Sequence, residues 1–134
     1  MDRNNTSTKQ QMARLNKLAE MSEGKPLVML NINKYRPEVN FPVGQSYLSY
    51  MEAITHSGEA IGGSVLWRAE VQGSVVGNLE GFHELLAVWD PSHIAFLDLP
   101  NADGAKEMFG YRKTCVEEAH ILELPEISYT GLQT

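Results

Sequence analysis

The sequence predicts an α+β fold in which an antiparallel sheet carries helices on one face only. Three observations predict it. The hydrophobic spacing switches along the chain between the period of a strand and that of a helix. The switches run in the order helix, strand, helix, strand, strand, helix, strand. Turn-forming residues stand where the switches fall, at Glu23-Gly24-Lys25-Pro26, Gly62-Gly63, Asp90-Pro91 and Pro125. A chain of 134 residues fits a single domain, 1–134. Within it, 7–23 reads as a leading helix, 26–125 as the core and 126–134 as a tail.

The leading helix starts at Ser7 or Thr8, either of which can cap it, and carries Met12, Leu15, Leu18 and Ala19 on one stripe. Leu27 to Asn33 alternates as a strand, with Val28, Leu30 and Ile32 on one face and Leu27, Met29, Asn31 and Asn33 on the other. The wholly apolar face is expected to meet the helices. A loop with two prolines, Tyr35 to Pro42, precedes a helix from Gly44 to Ala60 that holds Tyr47, Tyr50, Met51 and Ile54 at helical intervals. Gly62-Gly63 stops that helix.

Ser64 to Val76 reads as the second strand, bending at Gly73, with Val65 and Trp67 toward the helices and Leu66, Arg68 and Glu70 opposite. Residues 77–89 read either as a loop or as a loop ending in a short strand, Leu85 to Trp89. His93 to Leu99 is expected to be the third strand, with Ala95, Leu97 and Leu99 inward and Ile94, Phe96 and Asp98 outward. A helix starting at Pro100-Asn101 or Asp103 runs to about Glu118, and His120 to Leu124 is the last strand, with Glu123 outward. This is the split βαβ order of a ferredoxin-like fold with an extra N-terminal helix. A sheet covered on one side leaves its other side bare. A homodimer in which two such sheets face each other, a dimeric α/β barrel, covers it, and two-fold pairing is the commonest closed arrangement.

Composition narrows the function classes. A net charge of −6 with no basic stripe argues against nucleic acid and anionic membrane as partners. The first nine residues are polar and lack a signal-peptide pattern, and no apolar run approaches the ~20 residues that span a bilayer. The expected location is cytoplasmic. Cys115 is the single cysteine, so an internal disulfide is impossible, and its place near a helix C-terminus suits a buried structural thiol better than a nucleophile. The four histidines, His56, His83, His93 and His120, show no metal-ligand spacing, so no metal is expected. No phosphate-binding glycine loop or nucleophile elbow is present.

Several short motifs carry a family resemblance: Pro26-Leu27-Val28-Met29-Leu30-Asn31, then Gly62-Gly63-Ser64-Val65-Leu66-Trp67-Arg68, then Trp89-Asp90 followed by Leu99-Pro100. In that order, and from about Ser7 to Leu124, the chain resembles domain of unknown function family 1330, a branch of the dimeric α/β barrel superfamily. The resemblance implies a ferredoxin-like protomer and a dimer with a pocket between sheet and helices. It implies no fixed reaction. The chain departs from the family pattern at Leu99, where an aromatic residue is usual, and at Tyr111-Arg112-Lys113, the nearest stretch to a histidine-arginine pair. Haem occurs in the wider superfamily on a histidine of the second helix. Residues 103–118 have none, so no cofactor is expected.

The alternation places Asn31, Asn33, Arg68, Glu70, Asp98 and Glu123 on one wall of the sheet, and apolar lining with a few convergent polar groups is the usual form of a small-molecule site. The expected ligand-binding set is Met29, Asn31, Asn33, Leu66, Arg68, Glu70, Trp89, Phe96 and Asp98. Asn31, Arg68 and Asp98 are the candidates for chemistry: the amide polarises an oxygen, the guanidinium neutralises an anion and the carboxylate moves a proton. Two functions follow from this. One is a binder or cofactor-independent enzyme acting on a small aromatic or acidic molecule. The other is a non-catalytic dimeric module in which the same charges pair at an interface.

Overall fold

The computed structural model describes residues 6–126, so the expected tail lies outside the described residues apart from Glu126. Helix α1 (Lys9–Met21) opens on Thr8. Its hydroxyl accepts from the Gln11 amide, and the Gln11 side chain accepts from the Thr8 amide at 2.8 Å. Strands β1 (Leu27–Tyr35), β2 (Ser64–Glu70), β3 (Glu84–Asp90) and β4 (Val116–Pro125) form one antiparallel sheet in the order β2-β3-β1-β4. Helices α2 (Gln45–Ala60), α3 (His93–Leu97) and α4 (Ala105–Cys115) complete the ferredoxin-like order. A short 3₁₀ turn, Pro37–Val39, links β1 to α2.

Four expected elements fall elsewhere. Residues 93–99 are not a strand. Ser92 caps α3 by accepting from the Ala95 amide at 3.1 Å, and a cap directly after Asp90-Pro91 outweighs the alternation of Ile94 and Phe96. The third strand is the Leu85–Trp89 stretch, extended by one residue at each end. Strand β2 ends at Glu70 rather than Val76. Helix α4 stops at Cys115, and β4 takes over at Val116, where the backbone turns extended, rather than at His120.

The faces of the sheet are also exchanged. Leu27, Met29, Asn33 and Tyr35 are the buried odd positions of β1, and Tyr35 belongs to the core with Tyr47, Tyr50, Met51, Met108, Cys115 and Val116 from the helices and β4. So the half-polar face of β1 lies under the helices, and the apolar face, Val28, Leu30 and Ile32, is the one they leave uncovered, with Val28 itself buried. Polarity misled because the tips of Asn33 and Tyr35 find partners inside. A register shift between Val65 and Trp67 then sets both Leu66 and Trp67 on the bare face and returns Arg68 and Glu70 to the covered one.

The bare face carries a shallow apolar groove of about 560 Å³ between Val28, Leu30, Leu66, Trp67, Trp89 and Leu124. Trp67 is 48% exposed there and Leu122, on the same face of β4, 52%. The covered face is packed closely at its turns. At Gly44, which starts α2, an added Cβ would lie 1.8 Å from the Val39 carbonyl oxygen. Only a residue without a side chain lets α2 leave the 3₁₀ turn there.

Candidate functional site

At the end of the covered face where β1 leaves the sheet and β3 enters it, Asn33 pairs with Glu84 across the strands. Tyr35 is two residues further along β1, and Tyr47 reaches the same point from the first turn of α2. Glu84, 3% exposed, lies between the two phenols. Tyr35 donates to its Oε1 at 2.7 Å and Tyr47 to its Oε2 at 2.5 Å. Each phenol oxygen accepts in turn: the Asn33 amide donates to Tyr35 at 3.3 Å, and Arg68 Nη1 donates to Tyr47 at 3.3 Å. Burial, reinforced by the Glu84 carboxylate, pushes both phenols well above the ordinary tyrosine range, so they remain hydrogen-bond donors at any physiological pH.

Aromatic rings wall this chain of bonds. Phe41 stacks on Tyr35 with centroids 5.3 Å apart and meets Tyr47 edge-on at 4.9 Å. His83 tilts against both Tyr35 and Phe41, and its Nδ1 accepts from the Tyr35 amide at 3.0 Å. That bond fixes the tautomer, leaving the proton of the neutral ring on Nε2. Arg68 is exposed, and it connects solvent to the buried carboxylate through one phenol.

The residues expected from the sequence distribute as follows. Asn33 and Arg68 join this chain. Asn31, two residues before Asn33 on β1, donates to the Met29 and Leu86 carbonyls. Met29 is buried beneath the helices, and Glu70 is exposed opposite Glu84 at the end of β2. Leu66 and Trp89 line the groove on the other face. Phe96 and Asp98 were expected on a strand. They lie instead on and just after α3, where the exposed Asp98 accepts from the Asn101 side chain at 2.9 Å. The sequence reading missed Glu84 because it fell in the ambiguous stretch 77–89, and Tyr47 because its helical spacing read as packing.

A second polar cluster occupies the opposite end of the same face. His93, at the start of α3, is 4% exposed, and its Nε2 lies 2.9 Å from Glu123 Oε2 without the alignment of a hydrogen bond. Among the described residues, neither ring nitrogen, nor Glu123 Oε1, nor Asp90 Oδ2 has a hydrogen-bond partner. Burial raises the Asp90 carboxyl to about 6, with His93 pulling the other way. Among the described residues, no three histidine, cysteine or acidic side chains are placed to hold a metal ion.

Solved structures place the fold. A protein of unknown function from Rhodopseudomonas palustris superposes with TM-score 0.74 at 22% identity, covering 92% of this chain and 96% of its own. The methylated form of that protein gives 0.77, with 97% and 99% covered. A hydroxynitrile lyase from Passiflora edulis gives 0.58 at 13% identity over 78% of this chain and 96% of that one. A Dabb-family protein of ferredoxin-like fold from Mesorhizobium loti gives 0.51 at 9%, over 77% and 98%. The fold of this chain is ferredoxin-like, and at these identities the likeness is one of fold. No family model matches the chain, and no curated protein does.

Proposed function

We propose that this protein binds a small organic molecule carrying a carbonyl or anionic oxygen at the Arg68–Tyr47–Glu84 chain and moves a proton on it without a cofactor. The observation that carries the reading is the position of Glu84. A carboxylate in the core is costly, and packing alone gives no reason to put one there. Here it is held by two phenols, one of which, Tyr47, links it to the exposed Arg68. Arg68 holds the ligand oxygen, Tyr47 passes its proton, and Glu84 accepts or returns it from behind. Asn33 and Tyr35 keep Glu84 in place. The resemblance to family 1330, with its pocket between sheet and helices, supports this location.

The protein acts as a homodimer in this reading, two copies pairing their bare faces over Trp67, Leu66 and Leu122. Large apolar groups in half exposure on one contiguous face support it. Trp67→Glu is expected to turn a dimer into a folded monomer in sedimentation velocity, whereas a wild-type monomer removes the pairing.

Native mass spectrometry of the protein from its own host tests the site. A small molecule retained by the wild type and lost from Arg68→Ala and Tyr47→Phe supports it. Equal retention by both variants overturns it. If nothing is bound and Glu84→Gln changes only stability, the non-catalytic dimeric module takes its place.

A further inference from the structure

The cluster at the far end of the covered face opens into a cavity of about 520 Å³ that the Arg68–Glu84 chain does not reach. It is lined by Leu27, His93, Glu123, Leu124 and Pro125, and by Leu18 and Met21 of α1. Lys25 and Glu126 stand at the rim, both exposed. The volume lies within the ~300–1,000 Å³ range of small-molecule sites. Helix α1 buries none of its residues, and Met21 is 67% exposed, so the lid is held lightly.

The polar groups that line it are only partly paired. The His93 imidazole, 4% exposed, is paired through Nε2 with Glu123 Oε2 at 2.9 Å without hydrogen-bond alignment, and among the described residues its Nδ1 and Glu123 Oε1 have no hydrogen-bond partner. Buried polar atoms in folded proteins are nearly always paired, so such a set calls for a partner from outside. Its chemistry is selective. Glu123 offers only acceptors, and with Oε2 facing His93 Nε2 at 2.9 Å its Oε1 is the one left open. Asp90 Oδ2, an acceptor also without a partner, lies at the same end of the sheet. The acidic groups Glu123, Glu126 and Asp90 outnumber Lys25. A carboxylate ligand would face repulsion there, and an alcohol brings a single donor. A primary ammonium brings three donors and a positive charge, and an apolar body attached to it would lie against Leu18, Met21, Leu124 and Pro125.

We infer that the cavity beside α1 is a second binding site, taking a small primary amine with an apolar body, its ammonium held by the open Oε1 of Glu123 next to His93. The inference stands apart from the proposed function, since it uses none of the residues of the Arg68–Glu84 chain.

The test is a titration of the full chain with 2-phenylethylamine, followed by amide chemical shifts. The result expected is saturable binding with the shifts concentrated at Leu18, Met21, His93 and Glu123. 3-Phenylpropionate and 2-phenylethanol, of similar length, should bind at least roughly ten-fold more weakly, the discrimination expected when a buried charged partner is left unpaired. Glu123→Gln should weaken the amine by a similar factor. Met21→Lys changes an exposed lid residue, so it leaves folding intact, and its charge should weaken the amine too. Binding of the carboxylate as tightly as the amine overturns the inference. So do shifts centred on Tyr47 and Arg68, amine affinity unchanged in both variants, or no binding of the amine at millimolar concentration.

Discussion

At the Tyr47 end of the covered face, Glu84 has a phenol on each oxygen, and each phenol has a donor of its own. At the Leu27 end, His93 and Glu123 are close, yet four polar atoms of that cluster, with Asp90 counted, have no hydrogen-bond partner among the described residues. The same sheet and the same apolar surroundings thus hold one closed network and one open one. A closed network adds stability and fixes geometry, since each member satisfies the next. An open one costs stability in the empty protein and returns it when something binds. The contrast assigns different consequences to similar mutations at the two ends.

The largest effect is expected from Glu84→Ala. It leaves two buried phenols without an acceptor and opens a void, and at about 1–3 kcal/mol for each orphaned group the loss should reach about 3 kcal/mol or more in urea unfolding. Glu84→Gln keeps one acceptor oxygen and should lose about half as much. A loss below about 1 kcal/mol for the alanine variant would mean that the network is not closed in solution. Next comes Gly44→Ala, which forces a methyl group against the Val39 carbonyl and shifts the first turn of α2, and with it Tyr47. Overpacking of this kind costs about 1–3 kcal/mol. The tyrosine fluorescence of this variant should also change, because Tyr47 leaves Glu84.

Much of the Tyr47 end was legible in the sequence, though on the wrong side of the sheet. Alternation correctly put Asn31, Asn33, Arg68 and Glu70 on one face, because a period of two is a geometric property of strands. Which face the helices cover is a question of energy, and counting apolar residues answered it wrongly. Tyr35, Asn33 and Glu84 satisfy one another at long range, and no local pattern reports a bond between residues 35 and 84. The bulge after Val65 moved Trp67 from core to surface, which a strict alternation cannot anticipate. Asp98 was misplaced for a local reason: the Ser92 cap turned an alternating stretch into α3. The Leu27 end was hidden because His93 and Glu123 come from segments read as separate strands.

The pH dependence sharpens the contrast at the open end. Asp90 has its folded value raised from 3.8 to about 6, chiefly by burial. A folded value above the unfolded one means that the native state binds the proton more tightly. The stability tied to this group is therefore fully present below the lower value and is lost as pH rises through about 6. Asp90→Asn removes the charge for good. It should raise the unfolding free energy relative to wild type at pH 7.5 by an amount on the order of 1 kcal/mol, and the gain should shrink at pH 5. An equal gain at both values would mean that Asp90 is not desolvated in the native protein.

The smallest expected effect is at His93, and it is the one that separates the two ends most directly. By burial alone, His93 and Glu84 are equals, at 4% and 3% exposed. If burial decided the cost, His93→Leu would destabilise as Glu84→Ala does. The open network predicts otherwise. The one polar contact of the imidazole, 2.9 Å from Glu123 Oε2, lacks hydrogen-bond alignment, leucine has a comparable volume, and the Glu123 side chain, 20% exposed, can turn its carboxylate to solvent. The change should therefore alter unfolding free energy by less than about 1 kcal/mol in either direction, as when an unpaired polar group is replaced by an apolar one of similar shape. A loss near that of Glu84→Ala would show that His93 is bonded in solution and that the Leu27 end is as closed as the other.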